Sequence, residues 1–389
     1  VALGRRAGTS AIRAFGHFNK KYTFIGYLTT LIPFIIFPYY CVIGGWVTKY
    51  ALVSIQGGIH DAASDTFFTG FISKSAEPMI YVLVFLIVTT LVVAGGVKGG
   101  IERVSTIMMP VLIVLLIGVS VFCITRPGAM AGVAYYIKPN LKDFSPTTIL
   151  AALGQLFYSM SLAMGIMVTF GSYMPKKSNL EKSVTQVEIF DTGVAFLAGL
   201  MIVPAVFIFS NGDSSMLAKG PSLMFVMLPK VFNSMAFSSI IAAVFFILVL
   251  LAALTSSISL LETLVAVLMD KFHMKRGTAC ITMFIVALLL AVPSSLGFGA
   301  WSNITILGFD FLDFFDFISN SVLMPIAAFL TCIFVGYIIK PKEIIDEVES
   351  SGEFKRKPLF LVMVKYIAPI CIVAILVFSV LEGLGFITV

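Results

Sequence analysis

The sequence predicts an all-α, polytopic membrane protein. Of its 389 residues, 59% are hydrophobic and only 12% charged, against about 25% charged in an ordinary soluble domain. Apolar runs of the roughly 20 residues needed to cross the hydrocarbon core recur along the whole chain. Backbone polar groups inside a bilayer must be satisfied within the segment itself, so these runs are read as helices.

Nine spans follow, over 22–50, 78–97, 102–125, 147–173, 186–210, 238–269, 278–296, 304–339 and 359–386. The charges between them are sided. Of the 26 Lys and Arg, eighteen fall on the face that holds residues 1–21 and 340–358. Seven fall on the other face: Lys49, Lys74, Arg126, Lys138, Lys142, Lys219 and Lys230. The positive-inside rule then places residues 1–21 and the 340–358 loop in the cytoplasm, the 126–146 loop outside and the carboxyl terminus outside. The outer segment 211–237 carries Gly220-Pro221 and an apolar stretch, Leu223 to Leu228, too short to span. It reads either as a lid-like or re-entrant helix pair or as a surface loop with a packed apolar patch. The chain opens at Val1 and runs straight into Ala2-Leu3-Gly4-Arg5-Arg6 without a signal peptide, so an amino-terminal truncation is expected.

Composition also argues against several functions. Cys41, Cys123, Cys280, Cys332 and Cys371 lie singly, and His17, His60 and His273 are far apart, so neither a disulfide framework nor a zinc site is indicated. The net charge of +6 is distributed as membrane topology demands, and nucleic acid is not an expected partner. HExxH, GxSxG and P-loop motifs are missing, and the chain is not read as an enzyme.

Polar side chains inside spans are costly and mark candidate sites. The 147–173 span contains Gly154-Gln155-Leu156-Phe157-Tyr158-Ser159-Met160-Ser161-Leu162-Ala163-Met164-Gly165. Such a stretch either unwinds around a ligand or packs as a continuous helix through its small residues. Asp191, in the next span, needs a cation, a proton or a cavity, unless it is a helix-end acid facing the cytoplasm. Thr255-Ser256-Ser257 follow Ala252 deep in an apolar span. Their oxygens suit a hard cation such as sodium, or else bond back to the preceding turn.

At these residues the chain resembles the neurotransmitter:sodium symporter family, in its bacterial amino-acid-transporter branch. The likeness is carried in order by Ala2-Leu3-Gly4-Arg5-Arg6, Tyr39-Tyr40 with Trp46, Pro127-Gly128-Ala129 and Phe157-Tyr158-Ser159-Met160-Ser161. Asp191, Gly220-Pro221-Ser222-Leu223, Leu254-Thr255-Ser256-Ser257 and Asp313-Phe314-Phe315-Asp316 continue it. The resemblance implies two inverted repeats with substrate and ions between broken helices. Residues 22–125 would be the remainder of the first repeat, 147–339 the second, and 359–389 the last helix. Only three spans precede the candidate broken helix where the family has five. The chain is therefore expected to lack the first two of about eleven helices, including a broken helix that holds much of the ions and substrate.

Carried over by position, the resemblance implies Na+ at two sites, completed by residues outside this chain. Ser159 and Asp191 would serve the first, and the Ala252 carbonyl with the Thr255 and Ser256 hydroxyls the second. Ile36, Tyr40, Tyr158, Ser161, Met164, Ser256 and Leu260 would line the substrate pocket, with Tyr40 and Tyr158 as its outer lid. Asp316 resembles an outer gate acid. Asp270, with Ser172 and Tyr173 nearby, resembles an inner one, or is a solvated acid at a helix end. Ala163 replaces the family's usual glycine and narrows the space beside the pocket. Asp191 replaces a neutral amide of chloride-dependent relatives and implies chloride-independent transport. The function implied is sodium-coupled uptake of a hydrophobic or aromatic amino acid across a bacterial inner membrane, by a monomer or weak dimer embedded in the lipid bilayer. A proton-coupled transporter of the same architecture, or a channel-like or non-transporting membrane protein, is the alternative.

Overall fold

Among the described residues, eight helices are long and apolar enough to cross a bilayer, and the ninth expected span is present in two pieces. The computed structural model describes residues 1–140, 144–210, 212–213 and 220–386. Lys142 and Lys219, assigned above to the outer face, and Asn211 in the outer segment lie outside the described residues.

Two short helices, α1 (Ala2–Ala7) and α2 (Ala11–Phe18), precede α3 (Lys20–Ile55). The most apolar window of α3 is 67% buried, against 17% for the last span, so α3 is the central column. Pro33 and Pro38 lie inside it, and each removes a backbone donor from the helical ladder. After α4 (Ile59–Ala62) and α5 (Phe67–Ile72), α6 (Glu77–Ala94) runs back beside α3. A Cβ on Gly44 would lie 2.5 Å from the Phe85 ring and one on Gly45 2.8 Å from the Val82 nitrogen. Only glycine admits this approach of two spans. Gly95-Gly96, the latter at φ +82°, turn the chain into α7 (Val97–Ile124), followed by α8 (Ala129–Ile137).

The interrupted span comprises α9 (Pro146–Ser159) and α10 (Ile166–Tyr173). Then come α11 (Leu180–Phe209), the short α12 (Leu223–Asn233), α13 (Ser238–Phe272) and α14 (Arg276–Leu296). The chain closes with α15 (Phe311–Ile338), α16 (Pro341–Glu349) and α17 (Lys357–Gly383). The expected 304–339 span begins late because Ile306 and Phe309 close a tight turn with Leu307 at φ +55° and Gly308 at φ +87°. The Asp310 side chain then caps the helix by accepting from the Asp313 N–H.

Of the two readings of segment 211–237, its described part takes the helical one. Phe225 stacks on Phe68 with ring centroids 5.1 Å apart, and the Tyr50 hydroxyl donates to the Phe225 carbonyl at 2.8 Å. Lys230 pairs with Asp65, so α12 is seated on the end of α3 and its flanking helices. Large apolar side chains such as Leu91, Val114, Leu289 and Ile370 stand exposed along the spans. Such a surface suits hydrocarbon rather than water.

At the face that holds residues 1–21, the basic face, α1 is clasped to α16. Arg5 Nε donates to Glu347 Oε1 at 2.7 Å, with both side chains almost fully buried. Lys176 Nζ reaches the same oxygen at 2.8 Å, and Arg5 Nη1 donates to the Ser178 carbonyl at 2.6 Å. Burial opposes the charge on Glu347, but the hydrogen bonds and charges of Lys176 and Arg5 prevail and hold its carboxyl below the usual range. The linker after α10 is thereby tied to both α1 and α16.

Candidate functional site

The site is organised by the break between α9 and α10. Ser145 starts α9 with a reciprocal capping box to Thr148. The helix ends at Ser159, and Ser161, Ala163 and Gly165 then take φ values of +51°, +61° and +73°. Three left-handed residues within five cannot continue a right-handed helix. Of the two readings of this span, the structure takes the unwound one. Ala163 occupies its left-handed position without glycine's freedom, at a cost of about 1–2 kcal/mol. At Gly165 a Cβ would meet Ala11 Cβ at 3.0 Å and the Thr29 carbonyl oxygen at 3.2 Å, so close packing as well as φ calls for glycine there.

Two of the expected ion ligands meet where α9 ends. The Ser159 hydroxyl donates to Asp191 Oδ1 at 2.7 Å, joining α9 to α11. On α13 the Thr255 hydroxyl donates to the Ala252 carbonyl at 2.9 Å, which is the back-bonded arrangement weighed above. The carbonyl thereby accepts this hydroxyl as well as its helical N–H, while the Thr255 oxygen keeps its own lone pairs as a hard donor. The Ser256 side chain lies beside that of Tyr40. Ser257 instead turns to α6, with its hydroxyl 2.8 Å from that of Thr89, and stitches two helices together.

Ile36, Met164 and Leu260 are buried in one contiguous apolar cluster, against which Tyr40, Tyr158, Ala163 and Ala252 pack. Tyr158 stands within electrostatic reach of both Tyr40 and Asp316. A cavity of about 410 Å³ beside Tyr158 is lined by Gln155, Asp316, Asn320 and Glu382 among others. A second, of about 780 Å³, is bounded by Met160, Ser161, Leu162, Ala163 and Gly165 and extends toward the basic face. The first cavity thus lies against α9 before the break, and the second against the unwound segment itself.

The basic face is arranged differently from the expected acid, serine and tyrosine group. Asp270 accepts from the Ser10 N–H at 3.0 Å and the Ser10 hydroxyl at 2.6 Å, and pairs with Arg13 at 3.2 Å. Ser172 bonds within its own helix, to the Thr169 carbonyl at 2.6 Å. Tyr173 donates instead to Glu262 Oε1 at 2.7 Å. Glu262 lies eight residues before Asp270 on α13, about 12 Å along the helix axis. It is fully buried, and Arg276 meets both of its oxygens at 2.6 and 2.9 Å while also donating to the Val93 carbonyl at 3.1 Å. Sequence reading passed over this triad. An acid within the apolar run Leu260-Leu261-Glu262, followed by an arginine at the next helix start, was the available signal.

One span broken near its middle among oxygen donors and tyrosines, in a multi-pass helical bundle, is an arrangement suited to a transporter. Residues 67–384 match the model of the sodium:neurotransmitter symporter family. Two relatives, the uncharacterized sodium-dependent transporters of Haemophilus influenzae and Bacillus subtilis, are each 34% identical over 96% of this chain, covering 84% and 83% of their own lengths. The crystal structure of MhsT in complex with L-phenylalanine superimposes with a TM-score of 0.86 at 37% identity, over 97% of this chain and 86% of MhsT. The chain belongs to the sodium:neurotransmitter symporter family, and its fold is the helical sodium-symporter fold. It is a sodium-dependent transporter rather than an enzyme.

Proposed function

We propose that the protein couples inward sodium movement to uptake of a hydrophobic or aromatic amino acid, without a chloride requirement. The observation that carries this reading is the Ser159 to Asp191 contact at the mouth of the broken helix. It sets a carboxylate beside the point where α9 ends and the chain unwinds. One sodium ion would bind at Ser159 and Asp191, and a second at the Ala252 carbonyl with Thr255 and Ser256. Ile36, Met164 and Leu260 would receive the side chain of the substrate, Ser161 and Ser256 would meet polar atoms, and Tyr40 and Tyr158 would close over it. Amino acid recognition is supported by the MhsT neighbour, which is seen with L-phenylalanine.

Ions and zwitterion would each favour the other, because charges attract more strongly in a water-poor site than in bulk water. Alternating access is supported by two separate cavities, one against α9 with Asp316 in its lining and one against the unwound segment that extends toward the basic face. The basic face would be cytoplasmic by its Lys and Arg excess. A carboxylate at Asp191 supplies the negative charge for which chloride would otherwise be recruited.

Uptake of tritiated L-phenylalanine by the full-length protein in proteoliposomes tests this. Accumulation should require an inward sodium gradient at constant pH and survive replacement of chloride by gluconate. Uptake driven by protons without sodium, or preference for glycine or glutamate, would overturn the reading.

A further inference from the structure

Asp316 is held by neighbours that carry no charge. The Tyr39 hydroxyl donates to Asp316 Oδ1 at 3.0 Å, and Asn320 Nδ2 donates to the same oxygen at 2.6 Å. Asn320 Nδ2 also reaches the Tyr39 oxygen at 3.3 Å, and the Ser319 hydroxyl lies 3.5 Å from it. Asp316, Ser319 and Asn320 are spaced i, i+3 and i+4, and so share one face of α15. The helix widens there into a π turn over Phe317–Leu323, an irregularity frequent at functional sites. Tyr39 and Ser319 are fully buried, which fixes the cradle in place.

Among the described residues, both side-chain bonds to Asp316 fall on Oδ1, and no Lys or Arg stands against the carboxylate. A permanent arginine or lysine would orient the acid but also consume its charge. Tyrosine and asparagine orient it and leave the charge uncompensated. Asn320 is itself an expensive residue for the place, because its Oδ1 is buried without a partner. Packing alone gives no reason for an amide there, whereas its donation to Asp316 does.

We propose that Tyr39 and Asn320 are positioning residues for the gate. They hold Asp316 by one oxygen so that the other is presented, already oriented, to a cation that pairs with it and leaves again during the transport cycle. Preorganisation lowers the ordering cost of each closure. The proposal rests on the reading of Asp316 as the outer gate acid.

A double-mutant cycle on the full-length protein in proteoliposomes tests it, reading sodium-driven uptake of tritiated L-phenylalanine. Asn320→Leu and Tyr39→Phe should each lower kcat/KM roughly tenfold, the worth of one hydrogen bond to a charged group. Asn320→Gln, which keeps the amide, should recover much of the loss. In an Asp316→Asn background, Asn320→Leu should cost nothing further, because both changes remove one function. Losses that multiply in the double variant, or a silent Asn320→Leu beside a damaging Asp316→Asn, would overturn the positioning role alone. A silent Asp316→Asn would instead remove the gate reading, and the proposal with it.

Discussion

The Ser159 hydroxyl and the Asp191 carboxylate stand 2.7 Å apart although 32 positions separate them in the chain. The contact joins the end of a broken helix to the neighbouring span. Asp191→Asn keeps the shape and removes the charge. Apparent sodium affinity in uptake should fall by about tenfold or more, as expected for loss of a close charge interaction. Uptake should also become stimulated by chloride. A sodium titration in chloride and in gluconate measures both, and an unchanged titration would count against Asp191 as an ion ligand.

Ala163 carries backbone strain that glycine would relieve. Ala163→Gly should stabilise the broken span by about 1 kcal/mol, the lower end of the cost of a left-handed L-residue. The midpoint of thermal inactivation in detergent should rise. Ala163→Val, β-branched at φ +61°, should lower it.

The clasp between Arg5 and Glu347 predicts a pH response outside the spans. The Glu347 carboxyl is held below its ordinary value of 4.5, so its contribution to stability is full above that value. It is lost as pH falls through the depressed value, because the folded state must then take up a proton at a buried ion pair. Arg5→Ala at neutral pH leaves the buried carboxylate short of a partner and should cost about 3–5 kcal/mol. Thermal unfolding of the detergent-purified protein at pH 7 and at pH 3.5 checks both. Glu347→Gln should remove part of the acid sensitivity.

Arg276 engages Glu262 with two nitrogens. Arg276→Lys should therefore behave as a damaging change, since an ammonium cannot reproduce the two-pronged contact. Arg276→Ala should be worse, at about 3–5 kcal/mol, because it strands a buried charge. Tyr173→Phe removes only one donor to Glu262 and should cost about 1.5–3 kcal/mol. Comparative melting of the three variants gives the order, and equal effects would deny the bidentate pair its role.

Composition was enough to find the membrane spans because the bilayer imposes one requirement on every crossing segment, whatever its neighbours: enough consecutive apolar residues. The places where local reading faltered are those where a tertiary partner decides. Residues 304–310 are apolar enough to extend a span, yet a tight turn and the Asp310 cap keep them out of it. Tyr173 was expected near Asp270, but the buried pair of Glu262 and Arg276 claims its hydroxyl.

The sequence by itself determined that this is a helical membrane protein, where nearly all its spans lie, and which intramembrane residues carry oxygen. Those properties depend on neighbours along the chain. Only the tertiary structure decided that the 147–173 span breaks, that Ser159 meets Asp191, and that Tyr39 and Asn320 share an oxygen of Asp316. Such pairings depend on distances between residues far apart in sequence, set by how whole helices pack, and no local pattern encodes them.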